Sequence, residues 1–293
     1  MLSICIPVFN HDVRPLTREL KAQADALGVA YEILLIDDRS TDGYRIHNEE
    51  LAKLKGIRYI ELSENIGRSA IRNLLAQKAI HPYLVFMDCD AQIISADYLR
   101  NYLTHCAPGV VCCGGRKDVP ACPDPHSALR WRYGVEREDL PALRRQMHPN
   151  RSFIAFNFLI DKAIFQKVRF DETLDKYGHE DTLFGLMLED NDIPVSHIDN
   201  QLQYSVYDHA DVFIRKTEEG LKNLAALQQN YGDRLTASVR LLRAAQRLRL
   251  WHLAGAFTLV FRLSRKALLA NLKSPHPSLF VFDMYKLGIF LRL

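Results

Sequence analysis

Short apolar runs alternate with helical patterns over the first ninety residues of this chain. The apolar runs are rich in residues that favour strands and read "LSICIPV" (2–8), "YEILLID" (31–37), "IRYIEL" (57–62) and "YLVFMD" (83–88). Between them apolar positions recur at helical spacing, most clearly over 14–27 and 68–79. Strands that alternate with helices of this length predict an α/β fold, in which a mostly parallel sheet carries helices on both faces.

The pattern changes beyond about residue 105. Four further strand-like runs follow, at 109–115, 153–160, 193–199 and 202–209, whereas 116–150 is rich in Arg, Pro and His and has little periodicity. From about residue 211 the spacing is helical, with a second long helical pattern from 234 to 271. We therefore predict an α/β domain over 1–210, in two halves at 1–105 and 106–210, followed by a helical appendage over 211–293.

Composition is that of an ordinary globular protein, but charge is unevenly distributed. Hydrophobic residues make up 48% and charged residues 25% of the 293 residues, so a sizeable core can form. The net charge is +3, yet residues 234–293 hold eleven Lys or Arg against one acid, Asp283. A basic segment of this kind favours an anionic partner, either nucleic acid or a membrane surface.

No targeting or membrane-spanning segment is evident in the sequence. The first residues, "MLSICIPVFN", lack the basic and long apolar regions of a signal peptide, and no apolar run reaches the ~18 residues of a spanning helix. We therefore expect a cytoplasmic protein whose six cysteines are reduced thiols. Since they contain no CxxC spacing, they are expected to pack in the structure rather than bind metal.

Two pairs of acids follow predicted strands. Asp88 and Asp90 end the fourth run, and Asp37 and Asp38 end the second. Ligands of parallel α/β sheets bind beyond the carboxyl ends of the strands, so both pairs fall where a site is expected. An Asp-x-Asp pair can hold Mg²⁺ or Mn²⁺, which prefer oxygen ligands and are often shared with substrate phosphates. Each pair alone is equally compatible with a solvated polar turn.

The ordered motifs of residues 1–210 resemble those of family 2 glycosyltransferases of the GT-A fold. The segments "SICIPVFN", "EILLIDDRSTDG", "ENIGRSAIRN", "FMDCDAQ" and "FDETLDKYGHEDTLFG" occur in the order and spacing of that family. The resemblance implies a Rossmann-like, mostly parallel sheet and an inverting transfer of a sugar from a nucleotide-sugar donor. Residues 1–105 would then bind the donor and residues 106–210 the acceptor.

The resemblance also implies roles for individual residues on the donor side. Asp38 would bind the base, because its carboxylate can accept from an imide or amide N–H. Arg68 would contact the base or the diphosphate, whose oxygens suit the donors of a guanidinium. Asp90 would be the direct ligand of a divalent metal, Mn²⁺ or Mg²⁺, while Asp88 would complete the pair and face the ribose. The other nucleotide-binding positions would be Pro7, Phe9, Asn10 and Asp37.

On the acceptor side, "GHEDTLFG" (178–185) resembles the Glu-Asp motif that supplies the general base of the family. We expect Asp181 to take the proton of the acceptor hydroxyl and Glu180 to orient it; the reverse assignment stays open. Acids also favour a helix N-terminus for electrostatic reasons alone. His209 falls where many GT-A enzymes complete the metal site with an imidazole, although a lone His after a strand can be purely structural.

The carboxyl-terminal region combines basic and apolar residues. Arg240, Arg243 and Arg247 lie on one face of a predicted helix, a pattern typical of amphipathic helices on anionic membranes. A helical layer packed on the catalytic domain would give a similar pattern. Because no nucleic-acid-binding motif is present, we expect peripheral membrane contact through 234–293 rather than a nucleic-acid partner.

We therefore expect a cytoplasmic, metal-dependent, inverting glycosyltransferase, placed peripherally at the inner membrane face. It would move a sugar from a nucleotide sugar, expected to be a UDP-sugar, to a glycan or lipid-linked glycan in cell-surface polysaccharide biosynthesis. Neither QxxRW, the motif of processive synthases, nor a spanning helix occurs, which favours adding one sugar or a few.

Three alternatives belong to other classes. A nucleotidyltransferase shares the broad fold but needs a Gly-rich loop after the first strand, and "PVFNHDVRP" contains no Gly. A non-catalytic glycan- or membrane-binding module would not need the intact set of acids. A glycoside hydrolase uses paired carboxylates but does not need nucleotide-binding acids at two strand ends.

Overall fold

Strands between residues 2 and 204 form two sheets in the computed structural model, which describes residues 1–173 and 178–293. The described residues contain ten strands: β1 (Leu2–Val8), β2 (Tyr31–Asp37), β3 (Ile57–Glu61), β4 (Tyr83–Met87), β5 (Ala91–Ile93), β6 (Val111–Cys113), β7 (Arg116–Asp118), β8 (Asn157–Asp161), β9 (Ser196–His197) and β10 (Leu202–Tyr204).

Seven strands make the main sheet, in the order β3-β2-β1-β4-β8-β6-β9. All neighbouring strands are parallel except β8, which runs antiparallel to both β4 and β6. The prediction of a mostly parallel sheet is therefore confirmed. The order of the first four strands places the carboxyl ends of β1, β2 and β4 side by side, where the acids were expected.

Twelve α-helices lie in the described part of the chain: α1 (Arg14–Leu27), α2 (Asp42–Glu49), α3 (Arg68–Lys78), α4 (Tyr98–Leu103), α5 (Ala128–Tyr133), α6 (Ala142–Arg145), α7 (Lys162–Lys167), α8 (Glu180–Asp190), α9 (Ala210–Ser238), α10 (Arg240–Leu250), α11 (Ala254–Leu272) and α12 (Leu279–Phe290). The first three agree closely in position with the helical patterns between the early strands.

Alternating side chains of the central strands pack in two separate hydrophobic cores, one on each face of the sheet. On one face Ile4 and Ile6 of β1 pack in a cluster with Leu20 of α1 and Tyr102 of α4. On the other face Cys5 lies in a cluster with residues of α3, α7 and α8. Because successive side chains of a strand point to opposite faces, a strand buried on both faces is almost entirely apolar, as "LSICIPV" is apart from Ser3.

A second, three-stranded sheet has the order β5-β10-β7. Strand β10 pairs antiparallel with β5 and parallel with β7. Strand β5 begins directly after Asp90, so this small sheet continues from the end of β4. Strands β5 and β7 were not predicted from the sequence, because they contain polar residues and do not stand out as apolar runs.

The described residues divide into two compact units. The first holds both sheets and comprises Met1–Asp118, residues 139–173 and Glu180–Ser205; the second comprises Val119–Glu138, residues 178 and 179, and Val206–Leu293. The helical unit thus includes Val119–Glu138, which the sequence-based division had placed in the α/β domain. Its own core gathers Phe213, Phe261, Phe282 and Tyr285 from α9, α11 and α12.

The long helical pattern predicted over 234–271 is divided in the structure among the end of α9, α10 and α11. Helix α9 ends at Ser238, since Val239 is extended with φ −102° and ψ 120°. Helix α10 ends at Leu250, and His252 takes the left-handed conformation with φ 57°. Hydrophobic spacing continues across such breaks, because it records burial rather than backbone geometry.

None of the helices described by the structure is long and apolar enough to cross a membrane.

Candidate active site

Asp37 stabilises the turn that follows β2. Asp37 is fully buried, and its carboxylate accepts from the backbone N–H of Ser40 over 2.6 Å and from the Tyr59 hydroxyl over 2.7 Å. Two strong donors on one buried carboxylate fix the turn that follows the strand. Asp37 therefore shapes this edge of the sheet, and a direct contact with a nucleotide stays a prediction.

Asp38 joins the end of β2 to the loop before α3. Its carboxylate accepts from the backbone N–H groups of Ile66 and Gly67 over 2.7 and 3.1 Å. Burial raises the pKa of Asp38, although these two hydrogen bonds act in the opposite direction. Gly67 has φ 83°, a conformation that favours glycine, so the loop can turn its N–H groups toward the acid. Each carboxylate oxygen keeps a second lone pair for a base N–H.

The residues after β1 are tied to the same turn. Asn10 has φ 48°; its backbone N–H donates to Ser40 Oγ, and its Oδ1 accepts from the Thr41 N–H, both over 2.8 Å. Pro7 lies within β1, and the Phe9 ring is about half exposed. The ends of β1 and β2 thus form one connected rim that presents an aromatic ring to solvent.

Asp88 and Asp90 follow β4 and differ in their surroundings. Arg72 Nη2 donates to Asp88 Oδ1 over 2.7 Å, and the Arg72 side chain is only 4% exposed. Burial, and next the charge of Asp88, raise the pKa of Asp90 to about 6, while Arg68 lowers it. Asp90 is therefore a partly desolvated acid beside another acid, an arrangement that a cation would stabilise.

The chemistry of this pair fits a divalent cation that is shared with a substrate. Mg²⁺ is commonly bound by one or two carboxylates, with phosphate oxygens and water completing the coordination. Asp90 and Asp88 supply that number of carboxylates. Among residues 1–173 and 178–293, no cluster of three or more His, Cys, Asp or Glu side chains is arranged to hold a metal.

Arg116 and Tyr204 are neighbours of this region that sequence reasoning missed. Arg116 on β7 is buried and donates to both carboxylate oxygens of Asp118, over 2.9 and 2.6 Å. Its guanidinium carbon lies 3.9 Å from the centre of the Tyr204 ring on β10. The Arg116 charge also lowers the pKa of Asp90. Only the pairing of β7 with β10 brings these residues together, so no linear motif reveals them.

Asp181, in the first turn of α8, is held through only one of its oxygens. Oδ2 accepts from the Ala155 backbone N–H over 3.1 Å, whereas Oδ1 is buried and has no hydrogen-bond partner among the described residues. Burial raises the pKa of Asp181 to about 7; Glu180 and Asp88 act in the same direction, and Arg72 opposes them. A carboxylate with a pKa near neutrality and an open oxygen suits general-base chemistry.

Arg72 links the donor motif to the candidate base. It contacts Asp88 directly, and its charge acts on Asp181. Sequence reasoning overlooked it, although it lies in "ENIGRSAIRN", one turn of α3 beyond Arg68. Arg68 itself is more exposed, and its Nη1 lies 3.8 Å from Glu180 Oε1. Helix α3 therefore places Arg72 beside Asp88 of the donor motif and Arg68 near Glu180 of the Glu-Asp motif.

The structure does not test the predictions for part of the Glu-Asp motif or for His209. The segment 174–177, within the motif "FDETLDKYGHEDTLFG", lies outside the described residues. His209 belongs to the helical unit, where its Nε2 lies 3.1 Å from Asp124 Oδ2. Its role as a metal ligand stays a prediction.

Comparison with known proteins places this arrangement in context. The model of the family described as "Glycosyl transferase family 2" matches residues 3–169, more than half of the chain. Over 67 residues the chain is 33% identical to a teichoic acid poly(glycerol phosphate) polymerase from Staphylococcus epidermidis. That match covers 22% of this chain and only 9% of the polymerase.

Solved structures share the fold at low sequence identity. One is the mannosyltransferase PcManGT from Pyrobaculum calidifontis in complex with GDP-Man and Mn²⁺, with a TM-score of 0.62 and 15% identity, covering 99% of this chain and 84% of that one. Another is S. aureus TarS 1–349 in complex with UDP, with a TM-score of 0.51 and 16% identity, covering 99% and 89%. The expected GT-A fold is thereby confirmed.

Proposed function

Because this chain belongs to glycosyl transferase family 2, we propose that it moves one sugar, or a few, from a nucleotide-sugar donor to an acceptor hydroxyl with inversion at the anomeric carbon. The chain is a glycosyltransferase by its family and its fold. The donor is proposed to be a UDP-sugar, and the acceptor a glycan or lipid-linked glycan.

The environment of Asp181 is the observation that carries this proposal. An inverting transfer needs one base near the acceptor hydroxyl. Asp181 has a buried, unpaired oxygen among the described residues and a pKa raised to about 7, so near neutral pH a large share is ionised and able to accept a proton. In the proposed step the acceptor oxygen bonds to the anomeric carbon, the bond to the diphosphate breaks, and Asp181 takes the hydroxyl proton.

The donor is proposed to bind at the carboxyl ends of β1, β2 and β4. Asp38 is the candidate for the base, Phe9 for packing against the nucleotide, and Arg68 for the diphosphate. Asp90, assisted by Asp88, would hold Mn²⁺ or Mg²⁺, which supplies positive charge for the diphosphate leaving group. Arg72 holds Asp88 in place over 2.7 Å and moderates the pKa of Asp181, so it acts as a positioning residue for both.

The acceptor and the place of action are proposed from one relative and from the charge of the carboxyl-terminal region. A short part of this chain resembles a teichoic acid polymerase, which is consistent with a role in polysaccharide synthesis. The basic region 234–293 is consistent with peripheral contact at the inner membrane face, where a lipid-linked acceptor would be met.

Calorimetric titration with UDP, with and without Mn²⁺, tests the donor site. The wild-type chain is expected to bind UDP more tightly with metal, and Asp90→Ala to lose that enhancement. Asp97→Ala is the matched control, because it removes a nearby exposed acid that pairs with Arg100.

Three results would change the assignment. Metal-dependent binding that survives Asp90→Ala would remove Asp90 from the metal site. Since PcManGT is a complex with GDP-Man, GDP binding without UDP binding would change the nucleotide. Failure to bind either nucleotide in the presence of metal would contradict the proposed donor site.

A further inference from the structure

Helix α11 presents apolar side chains on both its inner and its outer side. Phe261 and Leu272 are buried in the core of the helical unit, and Phe257 and Leu268 pack against that core. The opposite side carries six exposed apolar residues, here called the outer stripe: Ala256, Leu259, Val260, Leu263, Ala267 and Ala270. At 3.6 residues per turn these six fall within about 100° of the helix circumference.

The outer stripe is too apolar for an ordinary solvent-facing helix surface. Leu263 is 81% exposed, and Leu259 and Val260 are each more than half exposed. Just before α11, Leu250, Trp251 and Leu253 are exposed as well. Contiguous exposed apolar surface of this kind marks an interaction site, whereas single exposed apolar residues are normal.

Basic residues border the outer stripe. Arg262 and Lys266 are exposed, and by helical spacing they lie along one edge of the stripe. Arg247 and Arg249 are exposed at the end of α10, next to Trp251. No acid occurs between Arg234 and Phe282, so nothing on α10 or α11 offsets these charges locally.

We propose that the outer stripe of α11 docks on the surface of an anionic lipid bilayer. Leu259, Val260 and Leu263 enter the boundary between headgroups and acyl chains, and Trp251 lies at headgroup level. Arg262 and Lys266 face the lipid phosphates. Helices that lie in the membrane plane have this combination of an apolar face, bordering cations and an interfacial aromatic residue.

The charges favour a bilayer over a second copy of the chain. Pairing two outer stripes would bring two sets of arginines and lysines together without acids from α10 or α11 to balance them. A bilayer that contains anionic lipid supplies the missing negative charge. This inference deepens the proposed function by naming the surface on which a lipid-linked acceptor would be met, but docking itself needs no nucleotide sugar.

Vesicle flotation of the full chain, without donor or acceptor, tests the proposal. Vesicles of phosphatidylcholine with phosphatidylglycerol are compared with vesicles of phosphatidylcholine alone. The double variant Leu259→Gln/Leu263→Gln removes two large members of the outer stripe. The matched control is Ile46→Gln/Leu143→Gln, which changes two exposed apolar residues of α2 and α6 in the other unit.

The wild-type chain and the control are expected to float with anionic vesicles and not with neutral ones. The outer-stripe variant should bind at least tenfold more weakly. Arg262→Gln/Lys266→Gln should weaken binding by ~5-fold for each charge removed, and added salt should weaken wild-type binding. Trp251 is 66% exposed, so its fluorescence should shift to shorter wavelength when vesicles are added.

Three outcomes would overturn the proposal. The first is wild-type protein that stays unbound with anionic vesicles, and the second is an outer-stripe variant that binds as wild type does. The third is a wild-type dimer, in the absence of lipid, that the outer-stripe variant alone converts to a monomer, because the stripe would then be covered by a second copy. UDP binding, measured on the same samples, separates failure of docking from failure of the donor site.

Discussion

Replacing Asp181 by Asn should stabilise the protein while removing the proposed base. Its folded-state pKa is about 7, against an ordinary value of 3.8 that serves for the unfolded chain. Because the pKa is raised, the folded chain holds this proton more tightly than the unfolded chain does. The ionised form of Asp181 therefore destabilises the fold, to an extent that grows as pH rises from about 4 and is complete above about 7. Asn cannot ionise, so the variant escapes this cost.

The size of the effect follows from the two pKa values. A difference of about 3 units at 1.36 kcal/mol per unit corresponds to ~4 kcal/mol when both states are fully ionised. Part of that difference is already present at pH 5, where the unfolded chain has lost the proton. The stability gained by Asp181→Asn should therefore increase by about 2–3 kcal/mol between pH 5 and pH 8. A change in packing energy that does not depend on pH cancels from this comparison.

Urea unfolding of both proteins at pH 5 and pH 8, without divalent metal, measures this quantity. Asp12→Asn is the control, because a hydrogen bond from Arg14 lowers the pKa of Asp12 to about 2. The stability that Asp12 contributes is lost only as pH falls toward 2, so its removal should cost the same at pH 5 and pH 8. If the free energy of unfolding gained by Asp181→Asn does not increase between pH 5 and pH 8, ionised Asp181 does not destabilise the fold, and the reasoning is refuted.

Two further predictions concern the site and its support. The rate constant kcat should rise with pH about a midpoint near 7. Arg72→Gln should move this midpoint to higher pH, because the Arg72 charge lowers the pKa of Asp181. An unchanged midpoint in the pH profile of the variant would contradict this. Gly185→Ala should cost about 1–3 kcal/mol in urea unfolding, because its Cβ would lie 2.2 Å from the Asn150 backbone oxygen. Gly43→Ala, with open space around it, should instead gain up to ~1 kcal/mol, and equal effects at both positions would contradict the packing argument.

The sequence by itself determined the elements of the first half of the chain. Strand β1 and helix α1 were located to the residue, because a strand buried on both faces is continuously apolar and a surface helix repeats every 3.6 residues. The acids at the ends of β2 and β4 were also readable, since the strand pattern stops where they begin. The ordered motifs pointed to the family, which the match of its model to residues 3–169 confirms.

Only the tertiary structure decided how these residues act on one another. The antiparallel direction of β8 and the pairing of β7 with β10 depend on contacts far apart in sequence. Arg72 lies 16 positions before Asp88 and 109 before Asp181, yet its charge acts on both. The pKa of Asp181 follows from burial and neighbouring charges, which no linear pattern encodes. The sequence also did not show that the outer stripe of α11 is exposed. A helix that is apolar on two sides has the same spacing of apolar residues whether one of those sides is buried or exposed.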